Sequence, residues 1–194
     1  MYKITGTVKL ISPFLYNKPS AVIIAGVDGH KGGGRKTKDQ KIEEAGDKVH
    51  TDPKGFLVIP QEMFKRSIIQ GAKLANLKWG RRSLSQYLEA VLFVEEPLSF
   101  KTKSPDSIFE HWGKIPPRTG AMALIRRPQM DAERTLDFSI VIFDDSITSD
   151  VVITALNSAG LYSGLGAWRP QYGRFIVVKC AQQAATPVAK KKEK

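Results

Sequence analysis

Residues 2–10 alternate between two kinds of position. Ile4, Gly6, Val8 and Leu10 fall on one side, and Lys3, Thr5, Thr7 and Lys9 on the other. Period two with β-branched residues predicts a half-buried strand through residues 2–15. The run "GFLVIP" predicts a second, short strand, after which the period changes. In "QEMFKRSIIQGAKLANL", Phe64, Ile68, Gly71, Ala72 and Ala75 recur at helical spacing with Lys65, Arg66 and Lys73 between them. That pattern is an amphipathic helix whose small residues allow close packing on a sheet. Ser83 stands where an N-cap would precede a second helix carrying Leu84, Tyr87, Leu88 and Val91. "LFVEEPLSF" predicts a strand, and residues 101–118, ending in Pro116 and Pro117, a loop. "AMALIRRPQMDAERTLDFSIVIF" predicts two strands joined by a turn near Asp131 and Ala132, the second showing Leu136, Phe138, Ile140 and Ile142 to one face. Ser149 or Asp150 caps a third helix with Val152, Ile153, Leu156 and Ala159, closed by Gly160. "RFIVVKCAQ" is the last strand.

Reduced to its frame, the order is β-α-β-β-α-β with additions, the ferredoxin-like or RRM-like arrangement of the α+β class. Right-handed crossovers place the helices on one face of an antiparallel sheet and leave the other face open. The expected organisation is one such domain over residues 1–185. A flexible basic insertion occupies 17–54 after the first strand, and a disordered basic tail 186–194. No internal repeat is present.

Charge narrows the choice of partner. Thirty Lys and Arg against nineteen Asp and Glu leave +11 over 194 residues. A surplus of that size points to a polyanion, nucleic acid first. Cys180 is the only cysteine, which excludes an internal disulfide and a cysteine-rich zinc site and suits a reducing interior. No run of eighteen apolar residues and no secretory signal occurs, so a cytoplasmic protein without a membrane span is expected. His30, His50 and His111 are scattered, so no metal is expected. "GHKGGGRKT" lacks the G-x4-G-K-[ST] order of a phosphate loop, and no dinucleotide or G-x-S-x-G motif appears, so no cofactor is expected.

The chemistry concentrates in a few stretches. "SGLGAWRPQYGRF" puts three glycines, two arginines and three aromatics before the last strand. Gly164, Gly166 and Gly173 permit close backbone approach, and Arg169 and Arg174 can fork onto phosphate. Trp168 and Tyr172 offer faces for base stacking, although Trp168 could equally lie buried beneath the loop. The insertion supplies Lys31, Arg35, Lys36 and Lys38 as a cationic clamp. The helix supplies Lys65 and Arg66. In "ALIRRPQM", Arg126 and Arg127 are neighbours on a strand, so at most one faces a given groove. Arg126 is the one assigned to nucleic acid, because Arg127 precedes Pro128 near the strand end. Lys78, Arg81 and Arg82 form a further basic cluster around Gly80. Asp28 in "GVDGHK" is the single candidate for acid catalysis, with a surface turn as the competing reading.

Three pieces in order, "YKITGTVKLISPFL", "DPKGFLVIPQEMFKRSIIQGAKLA" and "GLGAWRPQYGRFIV", resemble the RAMP superfamily, the ferredoxin-like proteins that include the backbone subunits of CRISPR effector complexes. The resemblance implies that the glycine-rich loop and the start of the first helix lie along guide RNA. It also implies that the long first loop crosses the guide–target duplex and that copies assemble along the strand, with other effector subunits as partners. The chain departs from the family's small-residue helix start, where it has Gln61-Glu62-Met63-Phe64, and carries Trp168 and Pro170 in the loop. These departures mark a divergent member, as in a virus or other mobile element. The function expected is therefore a sequence-independent binder of single-stranded nucleic acid, RNA before DNA, and a binding protein before an enzyme. The alternatives are a single-stranded-DNA-binding protein, a metal-dependent endoribonuclease acting through Asp28, and a viral assembly protein.

Overall fold

A computed structural model describes residues 1–18, 46, 48–114 and 122–184. In chain order the described elements begin with β1 (Tyr2–Leu10), β2 (Phe14–Leu15), β3 (Val58–Ile59) and α1 (Gln61–Leu74). A small hairpin, β4 (Lys78–Trp79) and β5 (Arg82–Ser83), leads to α2 (Leu84–Val91), β6 (Leu92–Val94) and β7 (Leu98–Ser99). Then follow β8 (Ser107–Lys114), β9 (Met122–Met130), β10 (Thr135–Ile142), α3 (Ser149–Ser158), a π-helical turn (Ala159–Ser163) and β11 (Phe175–Ala184).

The main sheet has the order β11-β1-β10-β6, and every neighbouring pair is antiparallel. With α1 and α3 as its crossovers this is a ferredoxin-like α+β fold. The inward period-two positions, Ile4, Val8, Leu136, Phe138, Ile140 and Phe175, are buried. The stripe of α1 meets them: Phe64 packs at 5.6 Å from the Phe138 ring and 6.0 Å from that of Phe175. Burying each such side chain contributes about 1.5–3 kcal/mol, which fixes α1 on this face.

The other face of the sheet is mixed: it exposes Phe93, Ile176 and Lys179, and three lysines on or beside it are ion-paired. Lys3 pairs with Glu95, Lys9 with Glu133, and Lys101 with Asp137 at 3.0 Å. Thr7 also donates to Asp137 at 2.9 Å. The Lys3 ammonium beside Glu95, and the Lys101 ammonium beside Asp137, hold both carboxyls below the usual carboxylate range. Lys179, opposite Thr7 on β11, has no described ion pair, so the face is neutralised only in part.

A second sheet, β2-β9-β8, stands beside the first. Here the structure corrects the sequence reading. Ser107–Lys114, expected to be loop, is a strand paired with β9 from Ser107↔Gln129 to Lys114↔Met122. It forms an arm outside the main core, so it lacks the long apolar alternation that marks core strands. The strands either side of Asp131 do not pair with each other: β9 joins β2 and β8, whereas β10 joins β1 and β6. Helix α3 starts after Thr148, and Gly160 does not close it; the chain continues through the π turn to Gly164, with φ 68°. Gly160 serves close approach instead, since a Cβ there would lie 2.0 Å from the Phe175 carbonyl oxygen. Among the described part of the expected insertion, residues 50–57 form a turn in which the Lys54 and Phe56 amides donate to the Asp52 carboxylate.

Candidate nucleic-acid interface

The glycine-rich loop is sewn down along its length. Leu165 is fully buried and Ala167 nearly so. The Leu165 amide donates to Gly173 O at 2.9 Å, the Ala167 amide to Leu15 O at 2.9 Å, and the Gly173 amide to Pro13 O at 2.8 Å. From the helix side, the buried Ser67 hydroxyl donates to Gly164 O at 2.8 Å. Gly166, at φ 77°, is where the loop crosses β2: a Cβ there would sit 2.3 Å from Leu15 O and 2.7 Å from the Phe14 ring. The sequence therefore builds a fixed ledge where a flexible clamp would have been equally compatible with its composition.

Between this ledge and the outer face of α1 runs a groove of about 730 Å³, walled by Arg66, Gln70, Arg127, Ser163, Trp168 and Arg169 among others. A second cleft of about 310 Å³ continues it past His50, Pro60 and Glu62, sharing Asn17, Arg66, Gly166 and Arg169 with the first. Arg66, on the exposed side of α1, and Arg169, exposed on the loop, thus face the same channel. Neither these arginines nor Arg127 is ion-paired with an acid among the described residues, in contrast to Lys3, Lys9 and Lys101. Glu62 and Glu89 also line the channel.

Trp168 lines the groove without being buried beneath the loop. Its half-buried ring lies against the arm, 4.8 Å from the His111 ring and 5.4 Å from Phe109, both edge-on. Its other neighbour is Arg127, whose guanidinium carbon lies 5.4 Å from the indole centroid. Trp168 adopts a left-handed backbone, φ 50°, a conformation that costs a bulky residue about 1–3 kcal/mol and persists because the ring is clamped. Tyr172 backs this cluster, 5.4 Å from Phe109, and does not line either cleft.

Strand alternation separates the two neighbouring arginines. Arg126, the one singled out from sequence, faces Glu110 across the arm and donates to it from Nε at 2.5 Å. Arg127 faces the groove, where Nη1 donates to the Tyr16 carbonyl at 3.3 Å and to the Asn17 side chain. Burial pulls the Arg127 guanidinium below its usual range. Lys65 lines neither cleft and donates at 2.9 Å to the Glu89 carbonyl near the end of α2. Arg174 folds back on its own loop, with Nε donating to Pro170 O at 2.8 Å. Gly164 contributes its carbonyl to Ser67 and lies outside the channel walls. Asp28, Lys31, Arg35, Lys36 and Lys38 lie outside the described residues. No group of three or more metal-ligating side chains occurs among the described residues.

Sequence reasoning does not single out several residues that line the channel: it places Arg127 near the strand end, and Asn17, Gln70 and Ser163 carry no charge to draw attention. The available signal for Arg127 was parity: on a two-residue period it is the arginine that shares a face with Gln129 and Ile125.

No protein-family model matches the chain, and no curated protein matches it. Among solved structures, a chain of the cryo-EM structure described as the Type III-B Cmr-beta bound to cognate target RNA is similar, with a TM-score of 0.58 and 11% sequence identity. The match covers 95% of this chain and 61% of that one, so this chain spans about three fifths of its length. At that identity the likeness is one of fold. No described helix is long and apolar enough to cross a membrane.

Proposed function

We propose that this protein is an RNA-binding subunit of a CRISPR-type ribonucleoprotein, and that single-stranded RNA lies along the channel between α1 and the glycine-rich ledge. The observation that carries this reading is a convergence of charge: Arg66, Arg127 and Arg169 line one channel without described acid partners, while Lys3, Lys9 and Lys101 are each held by a carboxylate. Forked guanidinium donors suit phosphate oxygens, and contacts to phosphate carry no base code, so binding is independent of sequence. The similarity in fold to a chain from an RNA-bound effector complex supports the same class of ligand. On this reading the chain acts by binding, several copies assemble along a guide strand beside other effector subunits, and the basic segments 17–54 and 186–194 add phosphate contacts around one ferredoxin-like domain.

The test is fluorescence anisotropy with labelled single-stranded RNA and single-stranded DNA over a salt series, together with sequencing of any nucleic acid that copurifies. Expected are binding at low salt, a log–log salt slope of about −0.7 per phosphate neutralised, and a copurifying RNA of uniform length. Absence of binding at low salt, or affinity indifferent to salt, sinks the reading.

A further inference from the structure

Two residues that line the groove each carry a buried polar atom without a hydrogen-bond partner among the described residues: Arg127 at Nε and Ser163 at Oγ. They come from different elements, β9 and the π turn, yet both residues line the same cavity. Ser163 is 4% exposed. An unpaired buried donor is costly, more so when it is charged, so two in residues of one wall mark a place completed by something else. The rest of the wall says what. The Trp168 ring and the contacts to Tyr16 O and Asn17 fix the guanidinium, leaving Nε without a partner. No described carboxylate pairs with it. A fixed guanidinium edge and a hydroxyl together make a donor pair for a tetrahedral oxyanion. The cavity falls within the range of about 300–1,000 Å³ typical of pockets that enclose a ligand.

From this we infer that the groove holds an inner phosphate subsite, in which one backbone phosphate of the bound strand accepts hydrogen bonds from Arg127 Nε and Ser163 Oγ, while Arg66 and Arg169 hold its neighbours at the outer rim. The inference rests on the RNA-binding reading above and adds to it a position at which the strand is drawn inward. The inner site acts through directed hydrogen bonds in a desolvated wall, and the outer site through screened charge. The two therefore respond differently to substitution.

The experiment compares Ser163→Ala, Arg127→Gln and Arg127→Lys with the unaltered full chain, using labelled oligouridylate over a salt series and thermal unfolding without RNA. Ser163→Ala removes an unsatisfied hydroxyl, so the free protein keeps or raises its Tm while RNA affinity falls about tenfold at every salt concentration with the slope unchanged. Arg127→Gln flattens the slope by about 0.7, and Arg127→Lys restores the slope without restoring the affinity. If Ser163→Ala binds RNA like the parent, or loses affinity only in step with lost stability, the inner subsite is wrong although the channel stands. Should Arg127→Lys bind as tightly as the parent, directed bonding from Nε is likewise refuted. If the parent itself fails to bind RNA at low salt, the channel reading falls and the subsite with it.

Discussion

Ser67 donates a buried hydrogen bond of 2.8 Å to the carbonyl of Gly164, so the helix turn that carries Arg66 also holds the start of the loop that carries Arg169. The two walls of the channel are therefore set relative to each other by a group that touches no ligand. Ser67→Ala leaves the Gly164 carbonyl unpaired and destabilises the protein by about 1–3 kcal/mol. In urea unfolding the midpoint falls while the m-value holds. RNA binding weakens without a change in salt slope, because no cation is lost.

Charge sorting predicts a contrast between exposed cations that composition alone treats alike. Arg66→Ala and Arg169→Ala each flatten the log–log salt dependence of RNA binding by about 0.7. Lys9→Ala and Lys101→Ala, whose partners are Glu133 and Asp137, leave it unchanged. Anisotropy titrations at four or more salt concentrations read the difference directly. Equal slopes for all four variants would move the binding surface elsewhere.

Gly166→Ala forces a side chain into left-handed backbone, φ 77°, at a point 2.3 Å from the Leu15 carbonyl oxygen. The ledge has to lift from β2, at a cost of about 1–3 kcal/mol. For a chain of this size that lowers Tm by about 2–4 °C per kcal/mol, measurable by circular dichroism. Affinity for RNA falls with it, since Gly166 lines both clefts.

Burial, and secondarily the nearby Lys18 ammonium, lower the pKa of His50 beneath its ordinary value of 6.5. In the window just below 6.5 the unfolded chain takes up a proton that the folded protein refuses. Stability is therefore full above that window and falls as the pH drops through it, levelling once the folded His50 is also protonated. Chemical unfolding between about pH 7.5 and 5 shows this loss, and His50→Gln flattens it.

Much of the fold could be read from the sequence because two periods dominate it. The alternation of Leu136, Phe138 and Ile140, and the helical stripe of Phe64, Ile68 and Ala72, both encode burial against one core, and all six residues are buried. The arm was lost because Ser107–Lys114 pairs with a strand outside that core, where side chains alternate between partial exposures and leave no apolar rhythm. Gly160 misled for a related reason. A glycine at a helix end and a glycine under a neighbouring carbonyl look the same in one dimension, and only the approach of Phe175 tells them apart.

The candidate site was legible in outline, and the side chains that line the channel differ in part from those expected. Glycines and arginines in "SGLGAWRPQYGRF" pointed to the loop, and Arg66 and Arg169 do face one channel. Which of two adjacent arginines enters the groove depends on the strand's register, and register is set by β2 and β8, whose pairing the sequence did not disclose. Trp168 depends likewise on the arm: without Phe109 and His111 in place, a tryptophan on a loop has no reason to turn toward either.

A ledge held by Leu165, Ala167 and Gly173 at hydrogen-bond distances of 2.8–2.9 Å has nothing left to fold when a strand arrives. On the proposed reading, association needs no waiting time for the loop, and its speed follows diffusion and the long-range pull of the channel's arginines. Differences in affinity, as between RNA and DNA, then lie in the departure step.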